Sequence, residues 1–233
     1  MATKTFEVQG IGLLTIRKSK KSRNLRLSIK HDNAVIVSIP YWVPYKAGLD
    51  YAKSKKDWII SNMTEKSNIE EGTRIGKAHR VTFKESITDK VSSRLTNNEI
   101  IILYPPWLSR TSREVQIVAN RTALRALKKE ADVLLEQRLR RLAQLYEFKY
   151  NSLKIRSLKT RWGSCSNNKD ITLSYYLIQL PWDEIDYVII HELVHTKYMA
   201  HNRQFWDEVH KYVPNMDEIK RKIKVRKPTV SVV

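Results

Sequence analysis

The segment that most constrains this 233-residue chain is Tyr187-Val-Ile-Ile-His-Glu-Leu-Val-His195. Its apolar residues predict a helix that is largely buried, yet it carries two histidines and a glutamate that the same burial must accommodate. On an α-helix, positions i and i+4 lie one turn apart on one face. His191 and His195 are so spaced, and two imidazoles in that relation can reach one zinc ion at about 2.0–2.1 Å each. Glu192 is turned about 100° around the helix from the first histidine. It is placed to reach a water on such an ion rather than to share the ion.

A third ligand completes a catalytic zinc site, which needs three protein groups and one open position. His201 follows His195 after five residues and supplies it. Four of the six histidines fall between 191 and 210; His210, beyond the ligand set, reads as an ordinary helix residue. The arrangement is that of the H-E-x-x-H zinc peptidases, with one zinc per chain, His191, His195 and His201 as ligands and Glu192 as general base. The spacing to His201 equals that of the metzincins, but Tyr198 stands where they carry a glycine. A tyrosine resists the left-handed conformation that glycine adopts freely, so the helix is expected to continue to about Met199 and turn near Ala200.

Around this segment the chain reads as α+β. Short β-branched runs at Phe6–Val8, Gly12–Arg17, Leu25–Ile29 and Ala34–Ser38 predict strands separated by charged clusters, and Pro40 and Pro44 close them. A helix is expected over Lys46–Asn62, a loop over 63–77, and strands at Arg80–Lys84 and Glu99–Tyr104. A long helix, capped by Thr111 or Ser112, begins near Arg113. Its expected apolar stripe is Leu124, Leu127, Ala131, Leu134, Leu135, Leu139, Leu142 and Leu145. Its other face carries Arg121, Arg125, Lys128, Lys129, Arg138, Arg140 and Arg141. A strand at Ser152–Leu158, a turn at Asn167–Asp170, an apolar run Ile171–Leu180 and a final helix over Arg203–Tyr212 complete the pattern, followed by a basic stretch, Lys220–Lys227. No internal repeat is legible. The implied organisation is a β-rich N-terminal part over 1–108, a metal-binding domain over 109–227 and a tail over 228–233.

Charge and cysteine content bound the setting. Lys and Arg number 43 against 24 Asp and Glu, a formal charge of +19, which points to a solvated basic surface or to a polyanionic partner. One cysteine, Cys165, permits no intramolecular disulfide and fits a reducing compartment. No secretory leader and no membrane-length apolar run is present, so a cytoplasmic, non-membrane protein is expected.

The segments Arg161-Trp-Gly-Ser-Cys-Ser166, Ile171-Thr-Leu173, Ile185-Asp-Tyr-Val188, His191-Glu-Leu-Val-His195, His201 and Phe205-Trp206 closely resemble the YgjP-like metallopeptidases, a family related to the SprT-like and WLM peptidases, the group that includes proteases acting on DNA-bound proteins. The resemblance is most specific over 160–207. It implies a zincin-type domain in which a small sheet packs on the metal helix, with the same ligands and base acting on protein or peptide substrates. Arg161 and Trp162, on a strand beside the cleft, and Tyr198 are candidates for holding substrate or its oxyanion; for Arg161 and Trp162 an ordinary packed role stands equally open. Asp207 and Glu208 are both candidates to orient the histidines. Cys165 reads as a small strand residue rather than a fourth ligand, and Phe205 and Trp206 as anchors of the last helix. Two alternatives remain: a DNA-associated protease recruited by non-specific DNA binding along the long helix and the basic tail, and a non-enzymatic zinc-stabilised module that binds nucleic acid. The intact Glu192 argues against the second.

Overall fold

The computed structural model describes residues 2–29, 34–62, 68–228 and 230. The chain forms two compact units, Met1–Lys66 and Ser67–Val233. The division falls well before the boundary expected near 108, and the reason is packing. Ile100, Ile102 and Tyr104 bury against Val115, Ala119, Leu127 and Leu135 in one core, so the second group of strands belongs with the long helix.

The first unit holds β1 (Thr3–Val8), β2 (Gly12–Ser19), β3 (Arg26–Ile29), β4 (Val35–Pro40), α1 (Tyr45–Ser54) and α2 (Lys56–Asn62). Strand order is β1-β2-β4-β3, with β2 and β4 parallel and the outer pairs antiparallel. Leu14, Ile16, Val35, Val37 and Ile39 alternate inward, as a period of two requires, and share a core with Ala52 and Ile59. The single helix expected over Lys46–Asn62 is two. Lys55, at φ −109, closes the first by donating its N–H to the carbonyls of Ala52 and Lys53.

The second unit opens with β5 (Arg74–Ile75), β6 (His79–Glu85), β7 (Ser92–Leu95) and β8 (Glu99–Tyr104) in the order β5-β6-β8-β7. β5 lies within the segment expected to be loop, whose residues 63–67 fall outside the described residues; β7 was not foreseen. The long helix α3 (Arg113–Leu145) follows. Leu127, Ala131, Leu135, Leu139 and Leu142 are buried as the stripe predicts; Leu124 and Leu134 are only partly buried, and Leu145, 61% exposed at the helix end, lies outside the core.

The remaining chain builds the site. A three-stranded sheet, order β10-β11-β9, is formed by β9 (Ser152–Arg156), β10 (Gly163–Cys165) and β11 (Asp170–Ser174). The apolar run Ile171–Leu180 divides into β11 and a 3-10 turn, Tyr175–Gln179, that packs on α3. Then come α4 (Trp182–Val194), α5 (Arg203–Tyr212) and α6 (Met216–Val225). α4 touches β10 and β11 on one side and α3, α5 and α6 on others. Its start is fixed by Arg138 of α3, whose guanidinium donates to both oxygens of Asp186, at 2.6 and 2.5 Å. The basic stretch expected as a tail is largely helical: Met216, Ile219 and Ile223 of α6 pack on the core. No helix among the described residues is long and apolar enough to cross a membrane.

Candidate metal centre

α4 ends at Val194, short of the expected Met199. Two local bonds compete with its continuation: the Thr196 hydroxyl donates to the Leu193 carbonyl at 2.7 Å, and His195 Nδ1 lies 3.1 Å from the Tyr198 carbonyl. His191 therefore sits in the last helical turn and His195 caps it. The chain turns back through 196–200 and enters α5, whose N-cap, Asn202, accepts the Phe205 N–H at 3.0 Å. His201 stands just before that cap.

The turn brings the three histidines together. One ring nitrogen from each of His191, His195 and His201 lies within 4.8 Å of the others, and no other such group of three metal-binding side chains occurs among the described residues. His191 Nε2 and His201 Nε2 are 3.1 Å apart. Two nitrogens sharing a tetrahedral zinc ion stand about 3.3 Å apart, so the set fits one small cation. The Tyr198 carbonyl takes up Nδ1 of His195 and leaves Nε2 for a metal, an outer partner of the kind that orients ligating imidazoles. His191 Nδ1 is buried without a hydrogen-bond partner. That ring is held by other rings instead: Tyr187, Phe205 and Trp206 lie 6.0, 4.9 and 5.8 Å from it.

Phe205 is the common floor. Its buried ring lies 4.9, 4.5 and 4.7 Å from those of His191, His195 and His201. Trp206 stacks on His201 at 5.5 Å with the planes 26° apart. Sequence reasoning placed both as helix anchors and missed that they set the imidazoles; the Phe-Trp pair in the first turn after a strong cap was the available signal. Lys220 of α6 covers the Trp206 ring at 3.9 Å.

The electrostatics follow from burial. Desolvation, with positive neighbours adding to it, pushes His191 down to about 3, and desolvation also lowers His195. Both rings are neutral near pH 7, the form that binds metal. Glu192 is buried and its pKa is pushed up to about 8 by desolvation, with Arg161 opposing. Its Oε2 has no hydrogen-bond partner.

The other sequence candidates separate. Arg161 is exposed and acts on Glu192 through its charge. Trp162 is half-buried in the core, and its carbonyl accepts the Ser174 N–H at 2.8 Å, extending the β10–β11 pairing. The Tyr198 phenol lies near Lys211, whose pKa is raised chiefly by Glu208 with Tyr198 adding the least. Neither acidic candidate is bonded to a histidine. Asp207 pairs with Arg203, and Glu208 accepts from Lys197, Lys211 and Tyr212. Cys165 is not part of the cluster, and burial pushes its thiol up to about 11.

The profile of one protein family, described as YgjP-like, metallopeptidase domain, matches residues 23–226. The chain belongs to the YgjP-like metallopeptidase family. That matched span takes in β3 and β4 of the first sheet, both later sheets, the long helix and the histidine cluster. Among solved structures, the chain is similar to the metallopeptidase zymogen abylysin of Pyrococcus abyssi, at 30% identity over 42% of this chain and 100% of that one, with a TM-score of 0.37. It is also similar to the zymogen jannalysin of Methanocaldococcus jannaschii, at 24% identity over 39% of this chain and 93% of that one, TM-score 0.35. No curated protein matches.

Proposed function

We propose that this YgjP-like chain is a zinc-dependent peptidase in which His191, His195 and His201 hold the metal and Glu192 is the general base. The observation that carries the reading is the convergence of three imidazole nitrogens within 4.8 Å beside a buried carboxylate whose second oxygen is unpartnered. A structural zinc site is closed by four protein ligands and needs no base; three histidines with an adjacent carboxylate fit the open, catalytic kind. When bound, the metal supplies Lewis acidity, drawing charge from a peptide carbonyl and bringing a water's pKa toward neutrality.

The protein's residues do the rest. Glu192, held against β10, takes the water's proton as the carbonyl is attacked and passes it to the leaving amine. Burial raises its pKa, which strengthens the carboxylate as a proton acceptor. A cation bound to the histidines would draw that pKa lower. Arg161 tempers it further, and as an exposed positive group acting on Glu192 it is the candidate to meet a developing oxyanion. Substrates are proteins or peptides.

The test is a pair of measurements on the full chain. Wild-type protein is expected to hold close to one zinc, and His195→Ala to lose most of it. Glu192→Gln is expected to keep its zinc while turnover of an unfolded protein falls by about 10²–10⁴. Undiminished turnover in a zinc-loaded Glu192→Gln protein removes Glu192 from the chemistry, and a wild type that takes up no zinc on loading removes the site.

A further inference from the structure

The two units share a plan that the sequence hides. β1-β2-β4-β3 and β5-β6-β8-β7 have the same order and the same pairing senses, antiparallel, parallel, antiparallel. Each parallel strand runs out into one turn: Val43 N–H donates to the Pro40 carbonyl at 3.1 Å, and Leu108 N–H to that of Pro105 at 3.0 Å. In both turns the residue after the tryptophan packs on its own unit's core, whereas the tryptophan points to solvent, Trp42 71% and Trp107 66% exposed.

The turns differ in their surroundings. In the first unit, Ser19 of β2 pairs with Pro40 of β4, so the chain leaving β2 emerges beside Tyr41 and Trp42. That chain carries Lys20, Lys21 and Arg23, all exposed. Lys18 donates to the Tyr41 carbonyl at 3.0 Å and lies over the Tyr41 ring at 5.6 Å. In the second unit the equivalent register, Glu85 with Tyr104, leads into Ser86-Ile-Thr-Asp-Lys90, which has no basic run. Residues 1–66 hold thirteen Lys and Arg against five Asp and Glu. Three of the seven cations of the basic face expected on α3 are paired internally: Lys128 with Asp132, Arg138 with Asp186, Arg140 with Glu136.

We propose that the β4–α1 turn of the first unit is a docking surface for single-stranded nucleic acid, with bases stacking on Trp42 and Tyr41 and phosphates meeting Lys18, Lys20, Lys21 and Arg23. Exposed aromatics interleaved with cations suit a single strand because every base offers a π face, which a duplex keeps stacked away. A membrane face would place aliphatic side chains at the same end; Leu13, exposed on this sheet, lies at the opposite end of β2. The surface is independent of the metal centre and goes beyond the peptidase reading.

The test is fluorescence anisotropy of the full chain with labelled oligo(dT) and with its oligo(dA) duplex, at about 50 mM salt. The single strand is expected to bind more tightly than the duplex. Trp42→Ala should weaken it about 5- to 150-fold, the span of one lost base stack. Lys20→Glu with Lys21→Glu should weaken it and flatten its salt dependence, and Trp107→Ala should leave it within about twofold of wild type, the scatter expected where no stack is lost. Should Trp42→Ala lower the melting temperature, the charge pair on its exposed loop decides. Wild-type binding by both altered proteins overturns the proposal. So does equal loss in Trp107→Ala, equal binding of duplex, or binding to phosphatidylserine vesicles without binding to oligo(dT).

Discussion

A methyl group on Gly163 would stand 2.6 Å from Oε1 and 2.7 Å from Cγ of Glu192. The strand β10 therefore approaches α4 as closely as it does because position 163 has no side chain, and the space so left holds the carboxylate. Gly163→Ala is predicted to displace Glu192 without touching a histidine. Turnover should fall by about 10², the lower end of what a positioned base contributes, while metal per chain stays at the wild-type level. Loss of metal together with activity would mean that Gly163 serves the packing of the sheet on α4 and not the carboxylate.

Trp206 should act through His201. Among the three histidines, His201 is the exposed one, and it stands on a turn before α5 rather than on α4. Removing the stacked indole leaves that ring free to rotate. Trp206→Ala is predicted to weaken metal retention about tenfold, the lower end for an outer-layer support, with Trp206→Phe between it and wild type. Competition with a chromogenic chelator measures this. Unchanged retention in Trp206→Ala would show that Phe205 alone fixes the ring.

These two supports mark where legibility in the sequence ended. His191, His195 and His201 could be brought together on paper because helical periodicity is local and the third ligand lies only six residues on. The alternation of Leu14, Ile16 and of Val35, Val37 likewise announced strands. Three things lay beyond what helical and strand periodicity records. α4 stops at Val194 through side-chain bonds of Thr196 and His195 to carbonyls, which no propensity registers. Trp206 meets His201 only because the chain doubles back. The repeated sheet plan is a matter of strand order, and it survives in the sequence as little more than a proline and a tryptophan at each strand end.

Glu130 should prove the costliest polar residue to lose outside the metal centre. It is buried on α3, faces His79, and accepts the N–H groups of Lys77 and Ala78 at 2.5 and 3.2 Å, so it satisfies two backbone donors of the β5–β6 turn. Lys77 then reaches on to the Leu180 carbonyl at 2.5 Å, just before α4 begins. Glu130→Ala strands two backbone donors and a histidine. Urea unfolding should show a loss of about 3 kcal/mol or more, and Glu130→Gln, which keeps an acceptor, a smaller one. A loss under about 1 kcal/mol in Glu130→Ala would mean that water satisfies the turn.

The last prediction concerns acid. Glu208 is 6% exposed, and hydrogen bonds from Lys211, Lys197 and Tyr212 hold its carboxyl at about 2, against an ordinary value of 4.5. The folded-state pKa is depressed, so the stabilisation is fully present above pH 4.5 and is lost as pH falls through 2. A shift of this size would correspond to about 3 kcal/mol at neutral pH. Solvent screening of Lys197 and Lys211, whose side chains are 42% and 66% exposed, reduces the expectation to about 1–2 kcal/mol. Glu208→Gln should be less stable than wild type by that amount at pH 7, and the gap should close between pH 4.5 and 2. Added salt should narrow it at pH 7 as well. Lys197 lies two residues past His195, so the same substitution should loosen the turn that carries the ligands, and metal-free protein is the form in which to measure the pH dependence cleanly. A gap that stays constant from pH 7 to pH 2 would assign the loss to packing around α5 rather than to the charge of Glu208.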